Sequence, residues 1–131
     1  MEALSPTLRM ELPYPPSVNR AWRMVRVGRS CRMALSREGR AYRTEACARL
    51  AALVGRMARE DRTLHEPLRV HITLHPPDRR KRDVDNALKA LLDALQHAGV
   101  IRDDAQIADL RVVRGEVVRG GRADIEIAET R

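Results

Sequence analysis

Carboxylates and basic side chains are concentrated in one stretch of this chain, residues 75 to 104, which reads HPPDRRKRDVDNALKALLDALQHAGVIRDD. A run of four basic residues leads directly into Asp83 and Asp85, and a second acidic pair, Asp103 and Asp104, closes the stretch. Carboxylate oxygens are the ligands that Mg²⁺ prefers, while Lys and Arg hold phosphates. Nucleic-acid hydrolysis needs both kinds of group, so the sequence indicates nuclease chemistry.

A helix is predicted between the two acidic pairs. Its apolar residues recur at helical spacing, at Val84, Ala87, Leu88, Leu91, Leu92, Leu95 and Ala98. Gly99 suits a left-handed C-terminal cap, and Asp83 suits the N-cap. The helix is therefore expected to begin close to Asp83. That start places Asp85 in the first turn and Lys89 one turn further along the same face.

Each of these features has an ordinary structural interpretation. Asp83 could serve only the backbone at a helix N-cap, and Asp85 could complement the helix dipole or pair with Lys89. Asp103 and Asp104 could be simple turn residues. It is the combination of a basic run, two acidic pairs and an intervening helix that favours a catalytic site.

The same stretch resembles the RusA-type Holliday junction resolvases, which are small endodeoxyribonucleases. The resemblance is carried by PPDRRKRDVDNALKALLDALQHAGVIRDDAQIADLRVV, with support from LPYPPSVNR and LSREGRAYR nearer the N-terminus. It extends from about residue 8 to about residue 127. The resemblance implies a Mg²⁺-dependent endodeoxyribonuclease, with Mn²⁺ as a possible substitute, that resolves four-way DNA junctions by paired symmetric nicks in recombination and repair.

The resemblance also implies roles for individual residues. Asp83, Asp85 and Asp104 match the family's essential metal-binding carboxylates, and Lys89 matches its essential lysine. Asp103 matches the less critical member of its pair, and Asn86 lies inside the motif as a supporting residue. The basic run resembles the family's DNA-contacting run, which implies DNA contacts for Arg79, Arg80, Lys81 and Arg82.

Residues 19 to 35 form a second basic segment. Arginine occurs there at every third position, at 20, 23, 26, 29 and 32, interrupted by Val27 and Gly28. The glycine and the short apolar alternation favour a hairpin or extended loop over a helix edge. The segment is expected to contact the DNA backbone, with Arg20 and Arg23 as the predicted contacts.

Composition agrees with a polyanionic partner but does not identify one. The chain has 131 residues and a formal net charge of +7. Basic charge alone favours a non-catalytic, structure-selective DNA-binding protein, and only the acidic cluster reverses that preference; a metal nuclease for other branched DNA or for RNA is a third alternative. No signal-peptide pattern or membrane-length apolar run is present in the sequence, so a cytoplasmic location without a membrane partner is expected.

Residues 1–131 are predicted to form a single α+β domain, with residues 1–6 as a flexible N-terminal extension. The remaining strands and helices are placed by periodicity and turn signals: strands at 7–12, 68–75, 106–113 and 122–128, and a long helix from the Ser36 cap to about residue 60. The expected architecture is a compact mixed β-sheet of four to six strands with two main helices. A homodimer is expected from the resemblance and from the two-fold symmetry of a four-way junction.

Overall fold

A mixed β-sheet backed by two helices forms the protein, as seen in a computed structural model that describes residues 7–57, 64 and 67–130. Along the chain the elements are β1 (Thr7–Leu12), α1 (Val18–Ala21), β2 (Trp22–Val27), β3 (Ser30–Leu35), α2 (Arg37–Gly55), β4 (Leu68–His75), α3 (Leu88–His97), β5 (Ile107–Arg114) and β6 (Arg122–Glu129), with 3₁₀ turns at Asp85–Ala87 and Asp104–Gln106. The predicted single compact α+β domain with a mixed sheet and two main helices is confirmed.

The main sheet has the order β1-β6-β4-β5, and only the β4–β5 pair is parallel. Apolar and polar residues alternate along the strands, and because every second residue of a strand points the same way, the apolar ones form one face of the sheet. On β6 the apolar residues of this face are Ala123, Ile125 and Ile127, which were predicted to face inward and are fully buried or nearly so. They share one core with Leu50 of α2 and Leu91 of α3, so both helices cover this face.

The opposite face of the sheet is charged. Arg9 Nε lies 3.0 Å from Glu126 Oε1, and Arg69 Nε lies 3.4 Å from Asp109 Oδ2. These side chains are at least half exposed. The sheet therefore has one helix-covered face and one face that carries exposed ion pairs.

The basic segment forms a hairpin, as predicted. Strands β2 and β3 pair antiparallel in a separate two-stranded sheet, and Gly28 turns the chain with φ of 61°. Because the side chains alternate, Arg23 and Arg26 point to opposite faces of the hairpin. The three-residue arginine spacing therefore distributes positive charge over both faces.

Two predicted helix boundaries were wrong. Helix α2 is capped by the Ser36 side chain as expected, but it ends at Gly55, a poor helix former, rather than near residue 60; residues 58–60 lie outside the described part of the chain. At the other helix, Asp83 is not the N-cap. A 3₁₀ turn begins at Asp85 with Val84 before it, and the α-helical hydrogen bonding of α3 begins only at Leu88. Residues 1–6, expected to be an extension, also lie outside the described residues.

Helix α3 connects two parallel strands, and this connection sets the positions of both acidic pairs. The chain leaves the carboxyl end of β4, passes through residues 76–84 and returns along α3 to the amino end of β5. Ten helical residues rise about 15 Å. Asp83 and Asp85 therefore precede the helix at one end, while Asp103 and Asp104 follow it at the other.

No helix in the described part of the chain is long and apolar enough to cross a membrane.

Candidate active site

The loop between β4 and α3 is held by one carboxylate, Asp78. Its Oδ1 accepts a hydrogen bond from Arg82 Nη1 at 2.7 Å and another from the Arg80 backbone N–H at 3.0 Å. The Arg82 guanidinium also lies over the Tyr14 ring, 5.8 Å from its centroid. The hydrogen bond from Arg82 lowers the pKa of Asp78 to about 2. The loop that presents the basic run is thus positioned by its own charges.

The four residues of the basic run have different surroundings. Arg82 is only about a quarter exposed, is engaged by Asp78, and its carbonyl accepts a hydrogen bond from the Arg114 side chain. Arg79, Arg80 and Lys81 are exposed. The structure therefore gives Arg82 a positioning role within the protein, and leaves the other three residues on the surface, where a phosphate could reach them.

One of the two DNA contacts predicted in the second basic segment, Arg20, lies close to this run, on α1 and not in the hairpin. Arg20, Arg80 and Lys81 line an open groove of 930 Å³, here called the loop groove, together with Asp83. Its lining also includes Glu38 and Glu45, so its charge is mixed. Arg23 is exposed on β2 and is not part of this lining.

Asp83 and Asp85, the predicted metal ligands before α3, line the same surface cleft. Both are exposed and line one open cleft of 620 Å³, here called the acidic cleft, whose walls include Leu88 and Arg114. Because Asp83 is not needed as a helix cap, its carboxylate faces the surface, where Oδ2 accepts a hydrogen bond from Asn86 Nδ2 at 3.4 Å. The contact links Asn86 to Asp83; the supporting role of Asn86 in the site stays a prediction.

Lys89, the predicted essential lysine, is oriented by an aromatic ring. Its Nζ lies over the Trp22 ring, 4.5 Å from the centroid, which is cation–π distance. The indole N–H of Trp22 is buried without a hydrogen-bond partner among the described residues. Sequence reasoning missed Trp22, because nothing in the spacing links the first residue of β2 to a residue of α3. The only available signal was that it is the single tryptophan.

The second acidic pair divides into a structural and an exposed member. The Asp103 carboxylate accepts a hydrogen bond from the Ala105 backbone N–H at 2.9 Å, and Gln106 completes a reciprocal capping box. The Ala105 N–H lowers the pKa of Asp103, whereas the neighbouring Asp103 carboxyl raises the pKa of Asp104. Asp103 thus caps the 3₁₀ turn, and Asp104 is exposed beside it.

The donor chemistry fits a hard divalent cation, but one chain supplies only part of the expected ligand set. Asp83 and Asp85 share the acidic cleft, while Asp104 lies beyond the far end of α3. Among the described residues, no group of three acidic, histidine or cysteine side chains is close enough to hold a metal ion. A single chain therefore does not unite the three carboxylates.

Comparison with known proteins covers nearly the whole chain. The family model described as Endodeoxyribonuclease RusA matches residues 13–128. The crossover junction endodeoxyribonuclease RusA of Escherichia coli strain K12 is 44% identical over 123 residues, which cover 94% of this chain and 95% of that protein. The protein of the same name from Enterobacteria phage 82 is 46% identical over the same shares. That from Enterobacteria phage HK97 is 42% identical over 118 residues, covering 90% of this chain and 91% of the relative.

Proposed function

Because the chain belongs to the RusA family of endodeoxyribonucleases, we propose that it is a metal-dependent endodeoxyribonuclease that resolves four-way DNA junctions by paired symmetric nicks. One observation carries the proposal. Asp83 and Asp85 are exposed in one cleft directly after a basic loop, where a phosphodiester held by the loop can approach them. Both carboxylates lie within the stretch that matches the family.

The basic residues hold the substrate in this proposal. Arg79, Arg80 and Lys81 project from the loop, and Arg20 and Arg23 extend the positive surface towards the hairpin. Contacts of this kind go to phosphates, so they position the strand without reading its sequence. Selection for a junction must then come from the shape and spacing of the two DNA backbones.

The carboxylates are proposed to hold the catalytic metal. Asp83, Asp85 and Asp104 are the ligands, Mg²⁺ is the preferred ion and Mn²⁺ is able to replace it, because hard cations of this size take oxygen ligands. When bound, such an ion supplies a nucleophilic water near neutral pH and neutralises charge on the phosphoryl group.

Lys89 is proposed to contact the scissile phosphate. Lys89 is exposed on α3, four residues after Asp85, and its Nζ is held over the Trp22 ring, so its positive charge has a defined position. A preorganised charge stabilises a phosphorane-like transition state without needing to reorient during the reaction.

A protein that binds junctions without cutting them is the competing function. It is favoured by the absence of a three-carboxylate group in the described residues of a single chain. The same basic surface would serve that function, so binding alone does not separate the two.

Cleavage of a labelled synthetic four-way junction, with Mg²⁺ and with EDTA, tests the proposal. The wild-type protein is expected to give paired, symmetric, Mg²⁺-dependent nicks. Asp85→Asn should bind the junction normally but cut it at least about 100-fold more slowly, because a ligand of the reaction centre is lost. The matched control is Glu126→Gln, which neutralises an exposed carboxylate on the opposite face of the sheet and should cut normally.

Tight junction binding by the wild type without cleavage under Mg²⁺ or Mn²⁺ would instead establish the non-catalytic function. Equal cleavage by Asp85→Asn would remove Asp85 from the site. Preferential cleavage of RNA or of unbranched duplex would contradict the proposed substrate.

A further inference from the structure

The hairpin of β2 and β3 carries an exposed apolar pair. Met24 and Met33 lie directly opposite each other in the hairpin register. They are 62% and 46% exposed, although Met is a residue that soluble proteins usually bury. The hairpin is separate from the main sheet, and residues 26–33 are all exposed, so it projects from the body of the protein. Two large apolar side chains side by side on such a projection indicate a surface for a partner.

The methionine pair shares one face of the hairpin with Trp22. Alternate residues of a strand point to the same face, so Trp22 and Met24 lie on one side of β2. They are two residues apart, which is about 7 Å along the strand. The Trp22 ring in turn contacts Lys89 Nζ. The pair therefore adjoins the place where the hairpin meets the lysine that is proposed to contact the scissile phosphate.

The charge of the hairpin segment determines what can cover the pair. Residues 19 to 35 contain five arginines and no acidic residue. Arg26 lies on the methionine face of the hairpin, and Arg23 and Arg32 lie on the other face. A second copy of the hairpin would be repelled by these charges, whereas a polyanion is attracted. DNA offers both phosphates for the arginines and apolar base faces for the methionines.

We propose that the hairpin inserts Met24 and Met33 between bases close to the scissile phosphate, and that this insertion makes the protein select a branched junction over duplex DNA. The inference rests on the proposed function, since it takes Lys89 as the contact to that phosphate. Methionine suits the role because its flexible, polarisable side chain fills irregular apolar spaces. Apolar side chains, methionine among them, unstack base steps when they are inserted in this way.

The selectivity follows from the cost of unstacking. A base step inside continuous duplex must be forced apart, whereas stacking is already interrupted where strands exchange at a junction. The arginines bind the phosphates of either substrate and do not distinguish them. The methionine pair therefore adds to junction binding and adds little to duplex binding, so it sets the ratio of the two affinities.

Fluorescence of 2-aminopurine, placed in turn at each base within two positions of the branch point of a four-way junction, tests the insertion. All the proteins in this test carry Asp85→Asn, so that the junction stays uncut. For at least one probe position, binding should raise the fluorescence at least about threefold, because an inserted side chain unstacks the probe. Met24→Ser combined with Met33→Ser should abolish the rise. Met24→Leu combined with Met33→Leu keeps the apolar bulk and should retain it.

The matched control is Val27→Ser. Val27 is 47% exposed near the tip of the hairpin, but it lies on the face opposite the methionine pair. Binding isotherms at one salt concentration should show that the serine pair lowers junction affinity at least about tenfold and duplex affinity less than about twofold. Val27→Ser should change neither affinity. A similar fluorescence rise in the serine and leucine pairs, or an equal loss of junction affinity in Val27→Ser, would overturn the insertion.

These measurements separate the inference from the function on which it rests. A wild-type protein that binds and unstacks the junction but cuts nothing contradicts the proposed catalytic function and leaves the insertion standing. A wild-type protein that cuts junctions, while the serine pair binds them with unchanged selectivity, contradicts the insertion alone. In sedimentation equilibrium without DNA, a lower mass for the serine pair than for the wild type would also overturn it, because the methionines would then pack against a second copy.

Discussion

Replacing Trp22 tests whether an aromatic ring positions the proposed catalytic lysine. Lys89 Nζ lies 4.5 Å from the centroid of the Trp22 ring, and Lys89 is an exposed residue. A cation–π contact at an exposed site is worth about 0.5–1 kcal/mol, and more when it is desolvated. Loss of about 1 kcal/mol of preorganisation corresponds to roughly a fivefold slower chemical step, since about 1.4 kcal/mol is tenfold.

Two substitutions separate the ring face from the rest of the side chain. Trp22→Phe keeps an aromatic face under Lys89 and removes the indole N–H, which is buried without a partner among the described residues. The smaller ring destabilises the fold by leaving a space, and removal of the unpaired N–H stabilises it, each by on the order of 1 kcal/mol. Trp22→Phe should therefore fold about as well as the wild type. Trp22→Leu keeps apolar bulk but has no aromatic face.

Single-turnover cleavage of a junction at saturating enzyme is the assay. Trp22→Leu should cut roughly fivefold more slowly than Trp22→Phe, with nearly the same junction affinity, because most of the phosphate contacts proposed to hold the DNA come from the basic run and not from Lys89. In a Lys89→Met background the difference between the two Trp22 variants should vanish. A difference that survives loss of the lysine would show that Trp22 acts only through the fold, and equal rates for folded Trp22→Leu and Trp22→Phe would refute the positioning role.

Two further predictions concern the elements that hold the site. A Cβ at Gly39 would collide with the backbone carbonyl of Ala21, so Gly39→Ala should lower the free energy of unfolding by about 2 kcal/mol and Tm by about 8 °C in calorimetry. The control is Gly55→Ala in the same helix, where the new Cβ meets no atom and Tm should stay unchanged or rise. Equal Tm values for the two variants would refute the close approach of α2 to Ala21. The pKa of Asp78 lies near 2 instead of its ordinary 3.8, so the stabilisation from Arg82 is present above about pH 4 and is lost as pH falls towards 2. As pH falls over that range, the Tm of the wild type should therefore decrease more steeply than the Tm of Asp78→Asn. Parallel curves of Tm against pH would contradict the ion pair.

Much of the fold was predictable because its signals are local. Strand β4 alternates apolar and polar residues from Leu68 onward, and α3 repeats its apolar residues at helical spacing, so each pattern reports which side of the element is buried. Gly28 indicated the hairpin turn, because the turn needs a positive φ that residues with a side chain rarely adopt. Helix boundaries were less predictable, since the distinction between Asp83 and Val84 as the first cap depends on a single turn of 3₁₀ geometry.

The site was predictable in composition but not in arrangement. The acids, the lysine and the basic run could be named from residue type and family resemblance, and Asp83 and Asp85 line one cleft in the structure. The contact between Trp22 and Lys89, and the restraint of Arg82 by Asp78, arise from packing between separate segments or from loop geometry that no spacing encodes. Whether Asp104 meets the other acids depends on β4 and β5 being parallel, which is a property of topology.

That topology follows from the parallel pairing. Parallel β4 and β5 must be joined by a crossover, and the crossover helix α3 sends the two acidic pairs to opposite ends of the strands. Asp83 and Asp85 therefore lie before the helix and Asp104 lies after it, a separation that residue type and family resemblance do not reveal because both describe the motif and not the path of the chain.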